Sequence, residues 1–187
     1  MQLTNSNTHY GWIAIILHWV MALAIIAIFV LGWWMTGLDY YDRWYHDAPS
    51  IHQSIGMLLL MLLLFRFAWR LGNARPQLMG LWWEQMAALV VQQLHYLLLL
   101  IVMITGYLLP TAEGIGINIF GWFTVPATLS FDKAQADLVG DIHWWSACAA
   151  MALIAVHSAA ALKHHFVDRD PTLLRMVTTQ HPTRKWL

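Results

Sequence analysis

The stretch DIHWWSACAAMALIAVHSAAALKHHF, residues Asp141–Phe166, is a long apolar run that carries two isolated histidines, His143 and His157, and ends in a basic Lys-His-His cluster. It exceeds the roughly 20 apolar residues that cross a bilayer as a helix. The two imidazoles are fourteen residues apart. At ~100° per residue that spacing leaves about 40° of offset, so both share one helix face, about 21 Å apart along the axis. An ionisable side chain inside a spanning helix is costly and is usually functional.

The rest of the chain has the same character. Its 187 residues are 59% hydrophobic and only 11% charged, whereas a soluble domain is about half apolar and a quarter charged. The formal net charge is zero, so nothing steers it toward nucleic acid. Four apolar runs, at about 10–36, 50–69, 83–109 and 138–166, predict an all-α integral membrane four-helix bundle, a single transmembrane domain over 1–187. The first run lacks the basic flank and small-residue cleavage site of a signal peptide. The lone Cys148 excludes an intramolecular disulfide, a thiolate zinc cluster and a CxxCH site for covalent haem, and reads as a small buried residue.

Lysine and arginine set the expected orientation. The link between the second and third runs carries Arg66, Arg70 and Arg75, and the C-terminal tail carries Lys163, Arg169, Arg175, Arg184 and Lys185. The other two links are acidic, with Asp39, Asp42 and Asp47 in one and Glu113, Asp132, Asp137 and Asp141 in the other, opposed only by Arg43 and Lys133. Both termini are therefore expected in the cytoplasm. Tyr40, Tyr41, Trp44, Tyr45, Trp122 and Phe123 then fall at the outer interface. The segment Thr111–Asp137 is too polar and glycine-rich to span, and its INIFGWFTVPATL stretch reads as a piece lying along the outer surface.

Five histidines fall within the runs: His18, His52, His95, His143 and His157. The others, His9, His46, His164, His165 and His181, lie at or beyond the run ends and read as solvated or interfacial. Alternating helix direction puts His52 at the depth of His143 and His18 at the depth of His157. Each cross-helix pair could hold one planar iron macrocycle from both faces, since haem iron takes axial histidine readily. Zinc wants three or four ligands at one depth, commonly with a carboxylate or thiolate, and the only carboxylates in the spans, Glu84 and Asp141, lie at their ends. Arg66 follows His52 by fourteen residues and Gly32 follows His18 by fourteen. Arg66 reads as a haem-propionate partner or a snorkelling anchor; Gly32 and Gly56 read as room for a flat ring or as plain helix packing. His95 has no obvious partner; a reserve ligand, a propionate or quinone contact and an interhelical hydrogen bond all suit it. Lys163 and His164 are candidates to bind or protonate a quinone, with a headgroup anchor as the rival for Lys163.

The pieces LHWV (17–20), SIHQSIG (50–56), LHYLLLL (94–100), GDIHWW (140–145), VHSAAALKHHF (156–166) and DPTLLRM (170–176) resemble, in order, the prokaryotic cytochrome b561 family of small di-haem membrane proteins. They are also similar to the cytochrome b subunits of formate dehydrogenases and nickel–iron hydrogenases. The resemblance implies two non-covalent b haems on His18, His52, His143 and His157, a bacterial inner-membrane location, and electron traffic between a periplasmic redox partner and membrane quinone. Characterised members of the family include a superoxide oxidase that passes electrons to ubiquinone. Two further readings are a cytochrome b anchor for a larger dehydrogenase and, in another class, a haem-binding transport or sensor protein. The acidic outer links fit a cationic protein partner at least as well as the superoxide anion.

Overall fold

The computed structural model describes residues 2–112 and 114–179; Glu113, His181, Arg184 and Lys185 lie outside the described residues. Four helices long and apolar enough to cross a membrane make up the fold: α1 (Trp12–Met35), α2 (Asp47–Gly72), α3 (Trp82–Thr111) and α4 (Lys133–Phe166). In lipid a helix satisfies its own backbone groups, which is why uninterrupted apolar sequence resolves as helix here. Apolar side chains such as Leu23, Val30, Trp33, Met61 and Leu64 cover the outside of the bundle and are exposed. They face lipid rather than a protein core.

The helices start earlier than the apolar runs where polar residues cap them. α4 begins at Lys133, ahead of the apolar run, because Asp132 and Gln135 cap each other's backbone N–H at 2.8 and 3.1 Å. Lys133 and Asp137 then pair across one turn at 2.8 Å. α2 begins at Asp47, whose carboxylate sits at the positive end of the helix dipole.

The link between α3 and α4 does more than lie on the surface. Residues Ile117–Ile119 (β1) and Phe123–Val125 (β2) form an antiparallel hairpin, with Ile117 opposite Val125 and Ile119 opposite Phe123. Its turn places Phe120 and Gly121 in the left-handed region, at φ 50° and 77°. Ile117 and Ile119 are buried against α2 and α3. Ser54 of α2, fully buried, donates to the Asn118 carbonyl and accepts from the Phe120 N–H, both at 3.2 Å. Ser54→Ala leaves both backbone groups without that partner, a cost of about 1–3 kcal/mol. The expected result is faster proteolysis at the hairpin in detergent micelles with helix content unchanged; equal proteolysis rates would show that the serine does not hold the hairpin.

At the opposite end, the N-terminal segment, the α2–α3 link and a short 3-10 helix (Leu174–Met176) tie together. Asn5 donates to the Ala74 carbonyl (3.1 Å), Gln77 to Asn7 (3.0 Å), Arg175 to Gln77 (2.8 Å), and Trp19 of α1 to Met176 (2.6 Å). His9 is buried in this segment rather than solvated, held by Thr8 at 2.8 Å. The bundle thus has a hairpin end and a termini end.

Between the ends lies a core of Met21, Leu59, Leu63, Leu99 and Met103. α4 contributes only Ala150 to the buried apolar residues described, and Ala150 stands seven residues from both His143 and His157. α1 packs on α2, α2 on α3 and α3 on α4, whereas among the described residues α4 closes on neither α1 nor α2 to a comparable extent. A slot therefore runs between α4 and the α1–α2 pair, with the apolar core of α1, α2 and α3 beside it at mid-depth.

Candidate functional site

Histidines bridge that slot at two levels. At the hairpin end, His52 of α2 faces His143 of α4 with ring centroids 6.3 Å apart and planes at 74°. Glycines back both rings. A Cβ at Gly32 of α1 would stand 2.8 Å from His52 Cε1, and one at Gly106 of α3 would stand 2.9 Å from His143 Cε1. The Nδ1–H of His143 donates to the Val102 carbonyl at 2.9 Å, with the Thr105 hydroxyl 3.2 Å away. That fixes the tautomer and leaves Nε2 as a free lone pair aimed across the slot. His52 Nδ1 is buried, with the Ile28 backbone of α1 as its hydrogen-bonding neighbour.

At the termini end, His18 of α1 and His157 of α4 also stand 6.3 Å apart, with planes at 67°. His95 of α3 joins them, its ring 5.4 Å from that of His157 and its Nδ1 bonded to the Val91 carbonyl at 2.8 Å. His95 has no obvious partner along the sequence; the α3 register carries it to the level of His157. Arg66 of α2 donates to His18 Nδ1 at 3.2 Å. The fourteen-residue spacings explain the reciprocity. On two antiparallel helices, His18 and Gly32 of α1 meet Arg66 and His52 of α2, one contact at each level.

Gly56 belongs to neither level. A Cβ placed there would meet Ile28 Cδ1 at 3.7 Å, an ordinary van der Waals distance, so this glycine serves α1–α2 packing. Cys148 is half-buried rather than buried. Lys163 and His164 lie beyond the termini-end pair. Lys163 pairs with Glu84 of α3 at 2.5 Å and with Asp168 at 2.7 Å, so it is ion-paired rather than a free headgroup anchor. His164 faces Asp168 at 3.1 Å and Asp170 at 2.7 Å. Burial raises the Asp170 carboxyl, but hydrogen bonds from Thr172 and His164 outweigh it and hold the group below its ordinary range. A cavity of about 330 Å³ opens here, lined by Gly80, Leu81, Glu84, Lys163, Asp168 and Asp170 among others. Glu84, His164 and Asp168 are close enough to chelate an ion by spacing, yet the Lys163 ammonium already sits among them as their counterion.

The prokaryotic cytochrome b561 family matches residues 9–179. The chain belongs to that family. It is similar to cytochrome b561 homolog 2 of Escherichia coli strain K12, 45% identical over 180 residues that cover 95% of each chain. It is also similar to cytochrome b561 homolog 1 of the same organism, 27% identical over 91% of this chain and 96% of the relative. A third relative, the probable superoxide oxidase CybB of Yersinia pestis, is 27% identical over 90% and 95%. As a prokaryotic cytochrome b561 this is a multi-pass protein of the bacterial inner membrane, a haem b-binding electron-transfer cytochrome.

The residues present fit haem. A metal–imidazole bond is about 2 Å and a ring nitrogen lies about 1.1 Å from its centroid, so two imidazoles on one iron have centroids about 6 Å apart; both pairs stand at 6.3 Å. The His143 tautomer is the one that a metal would need. His18 differs: because Arg66 only donates, the His18 Nδ1 accepts, and its proton rests on Nε2. Were His18 to hold a haem iron through Nε2, its proton would rest on Nδ1 and Arg66 would be free for another acceptor, for which a haem carboxylate is chemically suited.

Reading by sequence missed Gly106, Thr105 and Val102, which hold His143. Gly106 follows His95 by eleven residues, three helical turns, so it shares that face; the spacing was a usable signal. Glu84, Asp168 and Asp170 carried none, because each lies far in sequence from the lysine and histidine it meets or beyond the helix end.

Proposed function

We propose that the cytochrome holds two b haems, one between His52 and His143 and one between His18 and His157, and relays electrons between a periplasmic redox partner and membrane quinone. The observation that carries this reading is the pair of cross-slot imidazole contacts at one common separation. Bound haem supplies a one-electron iron couple at each level. The four histidines would hold each iron from both sides, which suits electron transfer over oxygen binding. The apolar layer from Met21 to Met103 keeps the levels apart and dry. Lysine and arginine cluster at the termini end, which supports a cytoplasmic location for both termini. Exposed Tyr40, Tyr41, Trp44, Tyr45, Trp122 and Phe123 at the hairpin end suit the opposite interface.

Quinone meets the chain at the termini end, where Lys163 lines the cavity and His164 pairs with Asp168 and Asp170 of its wall. His164, between two carboxylates, is placed to deliver a proton to a quinone oxygen, and Lys163 holds Glu84 and Asp168 in place. Stopped-flow mixing of the dithionite-reduced protein with ubiquinone tests this. Reoxidation is expected in the native protein, and His164→Leu is expected to slow it about a hundredfold, the usual scale for a general acid, at unchanged haem content. Haems that stay reduced in excess quinone remove quinone from the proposal.

Superoxide:ubiquinone oxidoreductase activity is a second reading, favoured by the likeness to the probable superoxide oxidase. The hairpin end argues against steering an anion. Lys133 is paired to Asp137, Arg43 lies 5.9 Å over the Trp44 ring, and Asp39, Asp42, Asp47, Asp132 and Asp141 are exposed around them. That surface suits a cationic redox protein. An anchor role in a larger dehydrogenase would use the same surface.

A further inference from the structure

The two histidine levels differ in charge. This inference rests on the di-haem reading above and goes beyond it. At the termini end, the Arg66 guanidinium touches His18, and no carboxylate pairs with it among the described residues. Arg70, one turn along α2 on the same face, lies 5.3 Å over the Tyr96 ring and bonds Gln92 at 2.9 Å, again without a carboxylate. Arginine does not lose its proton in proteins. One unit charge therefore stands at this level, with a second one turn further along α2, in a medium where Coulomb interactions are strong.

The hairpin-end level has the opposite character. The Nδ1–H of His143 faces the Val102 carbonyl and the Thr105 hydroxyl oxygen, and that hydroxyl donates onward to the Ile101 carbonyl at 2.7 Å. Acceptors on Nδ1–H push electron density into the ring and make its Nε2 a stronger donor. No charged side chain contacts His52 or His143 among the described residues. The nearest charged surface beyond them is the exposed, mainly acidic set Asp47, Asp132, Asp137 and Asp141, which acts in the same sense but is screened by salt.

We infer that Arg66 at one level and the Val102–Thr105 acceptors at the other make the two centres unequal in electron affinity, so that electrons run downhill from the His52–His143 level to the His18–His157 level. A neighbouring cation favours the state holding one more electron; a more basic ligand favours the state holding one fewer. When Arg66 turns from His18 to a haem carboxylate its charge stays at the same level, so the sense is unchanged. In each transfer one electron leaves the first level, which is oxidised by one unit, and arrives at the second, which is reduced by one. A one-electron donor at the hairpin end refills the first level. Two transfers with two protons from water complete the reduction of one quinone at the termini end.

The test is an equilibrium redox titration of the purified holoprotein, read by its visible spectrum, with haem counted independently per chain. Two one-electron waves are expected, separated by at least a tenfold ratio of equilibrium constants, which is 59 mV for one electron. His143→Ala retains the termini-end haem and should titrate with the upper wave; His18→Ala should titrate with the lower. Arg66→Leu should lower the upper wave at least tenfold, and Arg66→Lys should restore most of the separation. Waves assigned in the reverse order, or a separation that survives Arg66→Leu, overturn the inference while leaving two haems in place. Fewer than two haems per native chain overturns the di-haem reading and this inference with it. If Arg66→Leu holds no haem at its level, the two histidine variants still decide the order.

Discussion

His143→Ala protein, expressed with haem in excess, is expected to purify with one haem per chain in place of two. His143 and His52 are the only imidazoles described at the hairpin-end level, and their rings meet across the slot at 6.3 Å. Removing one leaves a single axial ligand and an opening on the other side, where His143 no longer occupies the space between Gly106 and His52. The remaining haem should keep a sharp low-spin spectrum, because the apolar core from Met21 to Met103 separates it from the altered level. His52→Ala should match His143→Ala, and His18→Ala should match His157→Ala while removing the other haem. His95 introduces an instructive asymmetry, since it stands 5.4 Å from His157 with its Nε2 free. A second, spectrally shifted haem in His18→Ala, absent from His157→Ala, would show that His95 takes the place of His18. If all four alanine variants keep two unaltered haems, the ligand assignment is wrong.

Gly106→Val is expected to empty or disorder the hairpin-end site as thoroughly as losing a ligand, although residue 106 bears no chemistry. A Cβ there falls 2.9 Å from His143 Cε1 and 3.3 Å from Nδ1. The ring cannot swing away, because Val102 and Thr105 of the same helix hold its Nδ1. It must break those bonds or push α3 off α4. Overpacking of this kind costs about 1–3 kcal/mol, roughly a tenfold to hundredfold loss in haem affinity. Gly32→Val should act the same way through His52, whose Cε1 lies 2.8 Å from the Cβ position. Gly56→Ala is the control: its Cβ meets only Ile28 Cδ1 at 3.7 Å, so haem content should be unchanged. Equal losses in the Gly56 and Gly106 variants would sink the steric argument, with haem content and low-spin EPR signals as the readouts.

Much of this architecture could be read along one dimension. Hydropathy runs long enough for the bilayer required helices, because lipid offers no partner for an open backbone. The fourteen-residue spacings of His143–His157, His18–Gly32 and His52–Arg66 required shared faces at two depths. The hairpin did not show, because its strands are only three residues each and are held by a serine in a helix more than sixty positions away. Neither did the partners of Lys163, since Glu84 joins it only when the start of α3 folds beside the end of α4.

The amino-acid sequence by itself determined that there are four spanning helices and that imidazoles recur on them at two heights, because helical period and bilayer thickness act on each segment separately. Only the tertiary structure decided which ring backs onto which glycine, that His95 joins His157, and that a guanidinium stands at one level while carbonyl acceptors stand at the other. Those facts depend on how the helices rotate about their own axes against one another. That rotation is set by side-chain packing between segments distant in the chain, which no local period encodes.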